Sequence, residues 1–485
     1  MKNLSTLAII VALAASINSF AQDHHKSMSF STPVRKTRTA PKQVKDTVQP
    51  PVIEELTAET PKEDLRSGSM VDIQKDALLN DHKIIYIDGR PENANSAQHQ
   101  DSIRDLIENF FYDQFQSFSD PAAPYFLFMS RDADLAMGIG GCVRIRGWYD
   151  FDAAIPANSF TPYLIPMVKD PANNSKLGAT PAGSTLFFRV IGKNKKLGNY
   201  QIYIEANFNG YGGTDFHLKK AYAQLNNVTL GYASSTFSDP AALPPTVDAN
   251  GPANKISPTS VLVRWMNTYK KRWTVAGSLE LPKNAAVSTV SGKIGTASQT
   301  LPDLAAFIQY AWGKSEHVRL AGLARSIPYE DLVSHTRHHK FGWGMQLSTV
   351  VHPIRPLTLY GTFNCGEGHE STTGDLQVGN YDLVPSPHDP VDMYAPFSLG
   401  WCLGAQYNFR PNLFASVSYS DSRYFPRNPR EASEYRYGNI LTANVFWNLT
   451  PRIQAGLEFD TGVRKNWDGK SRRADRLGLM AQFSF

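Results

Sequence analysis

The sequence predicts an all-β protein: a 16-stranded antiparallel transmembrane β-barrel with a disordered N-terminal leader and one short periplasmic helix. Three observations carry this. Apolar residues recur with a period of two from "GGCVRIRGWYD" to the last residue; there Val143, Ile145 and Tyr149 share one face, and Arg144, Arg146 and Trp148 the other. The connections between these runs alternate in length, short then long. The face opposite the apolar one is often charged, not merely polar.

The segments before the barrel follow in order. "MKNLSTLAIIVALAASINSFAQ" has a basic start at Lys2, an apolar core over Leu7 to Ala15, and small Ser19 and Ala21 before a cleavage point. It reads as a secretory signal over residues 1–21. Residues 22–97 are rich in Pro, Thr, Lys and Glu and nearly lack aromatics up to Gly68. Such a segment buries too little apolar surface to offset its ordering entropy, so it reads as a flexible periplasmic leader. Over 98–118, Ile103, Leu106, Ile107, Phe110 and Phe111 recur at helical spacing. This short amphipathic helix could pack under the barrel, rest on a neighbouring subunit or plug the mouth. Residues 119–137 connect it to a barrel over 138–485. Charged residues make up 19% of the chain and mean hydropathy is −0.33, which excludes a helical membrane span in the body. Cys142, Cys365 and Cys402 form no CxxC pair and read as small packing residues.

The strands then come in sequence, from "GGCVRIRGWYD" and "STLFFRVIG" through "TSVLVRWMNTY" and "HVRLAGLARS" to "IQAGLEFDTG" and "DRLGLMAQFSF". Short turns such as "NN", "KK", "HPIRP" and "RP" alternate with long connections, including Phe151 to Gly183, Ser235 to Pro258, Glu367 to Ala395, Tyr424 to Tyr435 and Arg464 to Ala474. Tight turns on one side and long loops on the other are the pattern of an even-stranded outer-membrane barrel. A soluble sandwich also alternates, but two features oppose it. Rings collect on the apolar face near strand ends: Tyr149, Phe208, Trp273, Trp312, Phe341, Tyr407, Trp447 and Phe485 among them. Inward arginines would be expensive in a packed core and cheap in a wet lumen. The expected basic lining is Arg144, Arg146, Arg189, Lys220, Arg264, Arg319, Arg325 and Arg476. Lys220 lies in "HLKKAYAQL", which can be read in either phase. A lumen with excess guanidinium concentrates anions, and its forks match carboxylates.

"STFSDPAALPPTVDANGPANKISP" stands between the fifth and sixth strands. Its Pro and Gly content forbids regular structure, yet it carries few charges. It is expected to fold inward as a constriction, with Ser238, Asp239 and Asp248 facing a basic wall of Arg144, Arg146 and Arg264.

The stretch from "HLKKAYAQLNNVTLGYASSTFSDPAALPPTVDANGPAN" to "VLVRWM", with "PYFLFMSRDADLAMGIGGCVRIRGWYD" before it, resembles the DcaP-like porins over about Phe126 to Phe485. The resemblance implies a trimeric channel of the outer membrane, with an N-terminal helical extension, that takes up small anionic compounds such as dicarboxylates. Where that family tends to have Arg before the Ala-Tyr pair, this chain has Lys219 and Lys220. A chain ending in Phe485 also resembles the terminal signal by which barrels are recognised for assembly.

The function expected is thus passive diffusion of small hydrophilic solutes, favouring anions, with no cofactor and no bound metal. The expected partners are outer-membrane lipids and lipopolysaccharide, the solutes themselves, and two further copies in a homotrimer; no nucleic acid is expected. His335, His338 and His339 in "SHTRHH" form an external loop with no preorganised ligand set. The alternatives are a closed structural or adhesive barrel and, less favoured, a barrel enzyme; the chain has no G-x-S-x-G elbow.

Overall fold

The computed structural model describes residues 126–485, except 133, 195–197, 209–214, 282–285, 314, 390, 428–430 and 451, together with 54–55, 83–93, 96, 98 and 99. The expected signal over 1–21, most of the leader and the helix around Ile103 to Phe111 lie outside the described residues.

The barrel strands are β1 Leu135–Asp152, β2 Thr185–Asn194, β3 Gly198–Phe208, β4 Phe216–Leu225, β5 Val228–Ser234, β6 Thr259–Tyr269, β7 Trp273–Leu281 and β8 Asp303–Ala311. They continue as β9 His317–Asp331, β10 Thr336–Ile354, β11 Leu357–Glu367, β12 Phe397–Arg410, β13 Leu413–Phe425, β14 Tyr435–Asn448, β15 Ile453–Asn466 and β16 Ser471–Ser484. Each pairs antiparallel with the next, and β16 pairs with β1 from Ser484↔Cys142 to Asp475↔Asp152, which closes the 16-stranded sheet. Closure matters because an open edge would leave a row of unpaired N–H and C=O groups, untenable in lipid. The Phe485 carbonyl accepts from the Gly141 N–H (2.9 Å), and the Phe485 N–H donates to the Gly141 carbonyl (3.0 Å).

The expected alternation is present along the whole sheet. On β14, Leu441, Ala443, Val445 and Trp447 face outward and are exposed, while Thr442, Asn444, Phe446 and Asn448 are buried. The predicted rings Tyr149, Phe208, Trp273, Phe341, Tyr407, Trp447 and Phe485 are exposed on the outer face. Among the described residues no helix is long and apolar enough to cross a membrane. All three cysteines are free thiols.

Three expectations change. Lys83–Tyr86, inside the leader read as flexible, is a strand pairing in parallel with Phe126–Met129, which in turn pairs antiparallel with Ala136–Ile139 of β1. "KIIY" supplies a buried Ile84, and Phe126–Met129, held along the start of β1, supplies the pairing edge. The connection read as Arg464 to Ala474 is mostly strand: β15 runs to Asn466 and β16 starts at Ser471. His338 and His339 likewise lie on β10, with only His335 in the turn, at φ 52°. In both places the ladder outlasts the apolar belt, and polar residues there hide the strand from a hydrophobic pattern.

Candidate functional site: the barrel lumen

Inward positions are polar because they do not meet acyl chains, but most do not meet bulk water either. The connection 235–258 turns into the barrel and follows the inside of the wall. The Thr236 N–H donates to Glu280 Oε1 (2.8 Å), and Phe237 is buried among Ala276, Ala305, Phe307, Ala321 and Leu323. The Ser238 carbonyl accepts from Arg319 Nη1 (2.8 Å). Asp239 meets His317 Nε2 (2.9 Å), the Ser348 hydroxyl and Arg319 Nη2 (3.6 Å). Further on, the Pro245 carbonyl accepts from Asn444 (2.8 Å), and the N–H groups of Val247 and Asp248 both donate to the Glu458 carboxylate. The Ala253 N–H donates to Ser420 (2.9 Å), and the Asn254 amide to Thr362 (3.0 Å), before the chain returns to β6. A Pro- and Gly-rich segment cannot pair its own backbone, so side chains of β7, β11, β13, β14 and β15 do it instead.

Two other connections enter with it. In 153–184, Ile155, Phe160 and Ile165 are buried against Ala253, Ile440 and Ala474, and the Phe160 N–H donates to Asp248 (2.8 Å). In 368–396, Asp375 accepts from the Tyr163 N–H (2.7 Å) and the Tyr435 hydroxyl, and its own N–H donates to the Ala253 carbonyl (2.9 Å). The three connections are bonded to one another as well as to the wall.

This divides the eight predicted basic residues into two groups, all of them buried but Arg144, which is half-buried. Arg319, Arg325 and Arg476 are loop anchors. Arg319 holds Gln309, Ser238 and Asp239; Arg325 meets Asp303 (3.0 Å) and Asp382 (3.1 Å); Arg476 meets Asp150 (2.6 Å) and Asp248 (3.5 Å). The expected setting for these three, a wet wall, is therefore replaced by a buried one, because inner connections bring carboxylates to them. Asp239 is fully buried, which alone would raise its pKa, but Arg319 and His317 outweigh that and hold it below the usual carboxylate range.

The other five, Arg144, Arg146, Arg189, Lys220 and Arg264, lie on β1, β2, β4 and β6. Arg144 donates to Gln482 Oε1 (2.7 Å from Nε); Arg189 sits over the Tyr203 ring (4.6 Å); Arg264 Nη1 donates to the Ser234 carbonyl (3.0 Å). Arg146 is 6% exposed and its Nε has no hydrogen-bond partner. Its nearest opposite charges, Asp248 and Glu458, act on it only through space.

Lys220 resolves the two-phase reading of "HLKKAYAQL". Glu205 pairs with Lys220 and Ala206 with Leu218, so Lys219 is the extra residue of a β-bulge. Lys220 faces inward and is buried, while Lys219 bonds Glu205 (2.8 Å) with its side chain 43% exposed. Lys255, which the sequence reading missed, completes this side: its Nζ donates to the Ala249 carbonyl (3.1 Å). Burial holds the Lys255 ammonium below its ordinary range, with Lys219 and Arg146 pushing the same way against Asp248. The single cation of a Pro/Gly segment whose other charges are Asp239 and Asp248 was the available signal. Of the three expected constriction residues, Asp248 reaches the basic side; Ser238 and Asp239 lie instead against β9 and β10.

No protein-family model and no curated protein matches this chain. Solved structures do. The outer-membrane channel DcaP of Acinetobacter baumannii is similar over 73% of this chain and 98% of its own, with 21% identity and a TM-score of 0.62. An anion-selective porin from Comamonas acidovorans is similar over 73% of this chain and 100% of its own, with 12% identity and a TM-score of 0.49. OprB of Pseudomonas putida is similar over 72% and 94%, with 10% identity and a TM-score of 0.45. The chain from β1 to β16 therefore has the DcaP fold, a closed 16-stranded antiparallel barrel of porin type, as the resemblance in its sequence implied.

Proposed function

We propose that this chain is an outer-membrane channel for passive diffusion of small hydrophilic solutes, favouring anions such as dicarboxylates, and that it catalyses no reaction. The observation that carries this reading is the state of Arg146. It is a guanidinium on the inner wall, with an unpartnered Nε, beside Lys255 and Lys219 on the same side of the lumen. A cation left without a hydrogen-bonded carboxylate is suited to a passing anion, and two or three such cations suit a solute with two carboxylates. The DcaP fold supports the channel reading at the level of architecture. In this reading residues 1–21 are a secretory signal, the leader and short helix lie in the periplasm, and the long connections face outward. The apolar outer wall meets lipid and, in a homotrimer, two further protomers.

The test is a planar bilayer with purified protein in a KCl gradient. Discrete conductance steps with a reversal potential on the anion side are expected, and the double variant Arg146→Ala/Lys255→Ala should move that potential toward zero. An unchanged potential would reject the assignment of these residues. The interlocked inner connections favour one second reading, a closed structural barrel, and an absence of discrete steps would select it.

A further inference from the structure

The outer wall of β12–β16 carries a pattern that β1–β8 lack. Ala405, Val417, Ala443, Phe459 and Leu477 form one outward row across the ladders. The small alanines leave a groove of about 470 Å³ flanked by Tyr407, Phe459 and Leu477. Four residues further toward the long connections, the outward residue of β16 is Arg473; two residues further still, Arg423, Tyr437 and Lys465 stand side by side on β13, β14 and β15. At about 3.3 Å per residue these cations lie roughly 13–20 Å along the strands from the groove. At the same end of β1–β8 the outward residues are apolar and exposed: Phe151, Leu186, Phe208, Phe216, Val261, Leu281 and Leu304.

Two of these cations have carboxylate neighbours that position them without using them up. Arg423 donates through Nε to Asp421 (2.7 Å), with Nη2 at 3.4 Å, and Arg473 through Nε to Asp475 (2.8 Å). Their side chains remain 47% and 61% exposed. Nη1 of Arg423 and both Nη groups of Arg473 have no hydrogen-bonded partner among the described residues. Lys465 has no carboxylate partner among the described residues; its Nζ stands 6.0 Å from the Tyr437 ring, with Arg423 over the same ring at 5.4 Å. A fork held by one carboxylate and offering its remaining N–H groups outward is a phosphate receptor. A groove of alanines below it, within the apolar belt, fits an acyl chain.

We propose that this face binds a phosphorylated, acylated glycolipid of the outer leaflet, its phosphate on Arg423, Lys465 and Arg473 and an acyl chain in the alanine groove. The inference rests on the membrane-barrel reading above. The outward rim residues of β1–β8 named above are apolar and would offer these cations no counter-charge in a second protomer.

The test titrates full-length protein in detergent with bis-phosphorylated and with dephosphorylated lipid A, followed by native mass spectrometry. The triple variant Arg423→Ala/Lys465→Ala/Arg473→Ala should weaken the phosphorylated lipid at least ten-fold and leave the dephosphorylated one unchanged. Ala443→Leu, which fills the groove, should weaken both. Single-channel conductance of the triple variant should equal that of the unaltered protein, which separates failure of this inference from failure of the channel reading. Equal affinity for the phosphorylated lipid in the triple variant, or an equal loss for both lipids, would overturn it. So would inorganic phosphate binding as tightly as the lipid, which would make this a free-phosphate site. If the triple variant shows no heat-modifiable migration, Lys465→Gln/Arg473→Gln replaces it, with at least a three-fold loss expected and no loss counting against the site.

Discussion

Arg146 and Arg319 occupy equivalent inward positions in the two-residue period, yet the wall gives them different work. Arg319 is fully buried, stacked 4.3 Å from the Phe307 ring, and bonded to Gln309 and to the Ser238 carbonyl beside Asp239. Removing it leaves the Asp239 carboxylate buried with only His317 and Ser348, and an uncompensated buried charge costs about 3–5 kcal/mol. Arg319→Ala should therefore lower the temperature at which the folded gel band converts to the unfolded one. The Arg146 side chain has no hydrogen bond among the described residues to lose, so Arg146→Ala should leave that temperature within a degree or two and change ion selectivity instead. Measuring both quantities on both variants checks the division; a swapped result would mean that the roles are assigned the wrong way round.

The inner connection 235–258 is an element without regular structure that is held as firmly as a strand, because its backbone groups end on wall side chains. Glu458 takes two of its N–H groups, from Val247 and Asp248. Glu458→Ala should release the tip and raise single-channel conductance; an unaltered conductance would show that the tip does not limit flow. The connection 368–396 carries the pH dependence. Burial pushes Asp375 up to about 6, against the opposing hydrogen bonds from the Tyr435 hydroxyl and the Tyr163 N–H. The raised value means that the folded state prefers the protonated acid. Stability lost at this site is nil below the ordinary value of 3.8, grows through the interval, and is complete above about 6. At about 1.4 kcal/mol per pKa unit that loss is about 3 kcal/mol. The unaltered protein should thus gain stability on acidification from pH 7.5 to 4.5, and Asp375→Asn should remove most of that gain. The same unfolding temperature, read at both pH values, decides it. These elements also show where sequence reading stops. The strands are legible because lipid imposes a period of two on every few residues. The link between Val247 and Glu458 joins positions 211 residues apart and has no local mark. Hence the arginines were legible as inward, while the carboxylates that bury three of them were not.

At the scale of the molecule, the barrel depends on a single seam, β1 against β16, that joins the two ends of the sheet. β1 runs from Leu135 to Asp152 and serves four neighbours: β2 on one side and β16 on the other, with Lys176–Thr180 beyond the end of β2 and Phe126–Met129 below β16. Gly141 sits where the first two meet. Its N–H and carbonyl both pair with Phe485, and a Cβ placed on it would lie 2.2 Å from the Thr185 carbonyl oxygen and 3.1 Å from the Phe485 ring. The first of those contacts is with backbone, which cannot swing aside as a flexible side chain can. Gly141→Val therefore forces β1 away from β2 or from the end of β16, and either movement leaves strand-edge groups unpaired where no water can serve them. Gly277 is an outward glycine of β7 with no atom within 4 Å of the same construction, so Gly277→Ala is the matched control. After refolding into detergent, Gly277→Ala should show heat-modifiable migration in full yield. Gly141→Val should give little or none. Equal yields of folded band from the two variants would mean that the seam tolerates separation and that closure is not what the sheet depends on.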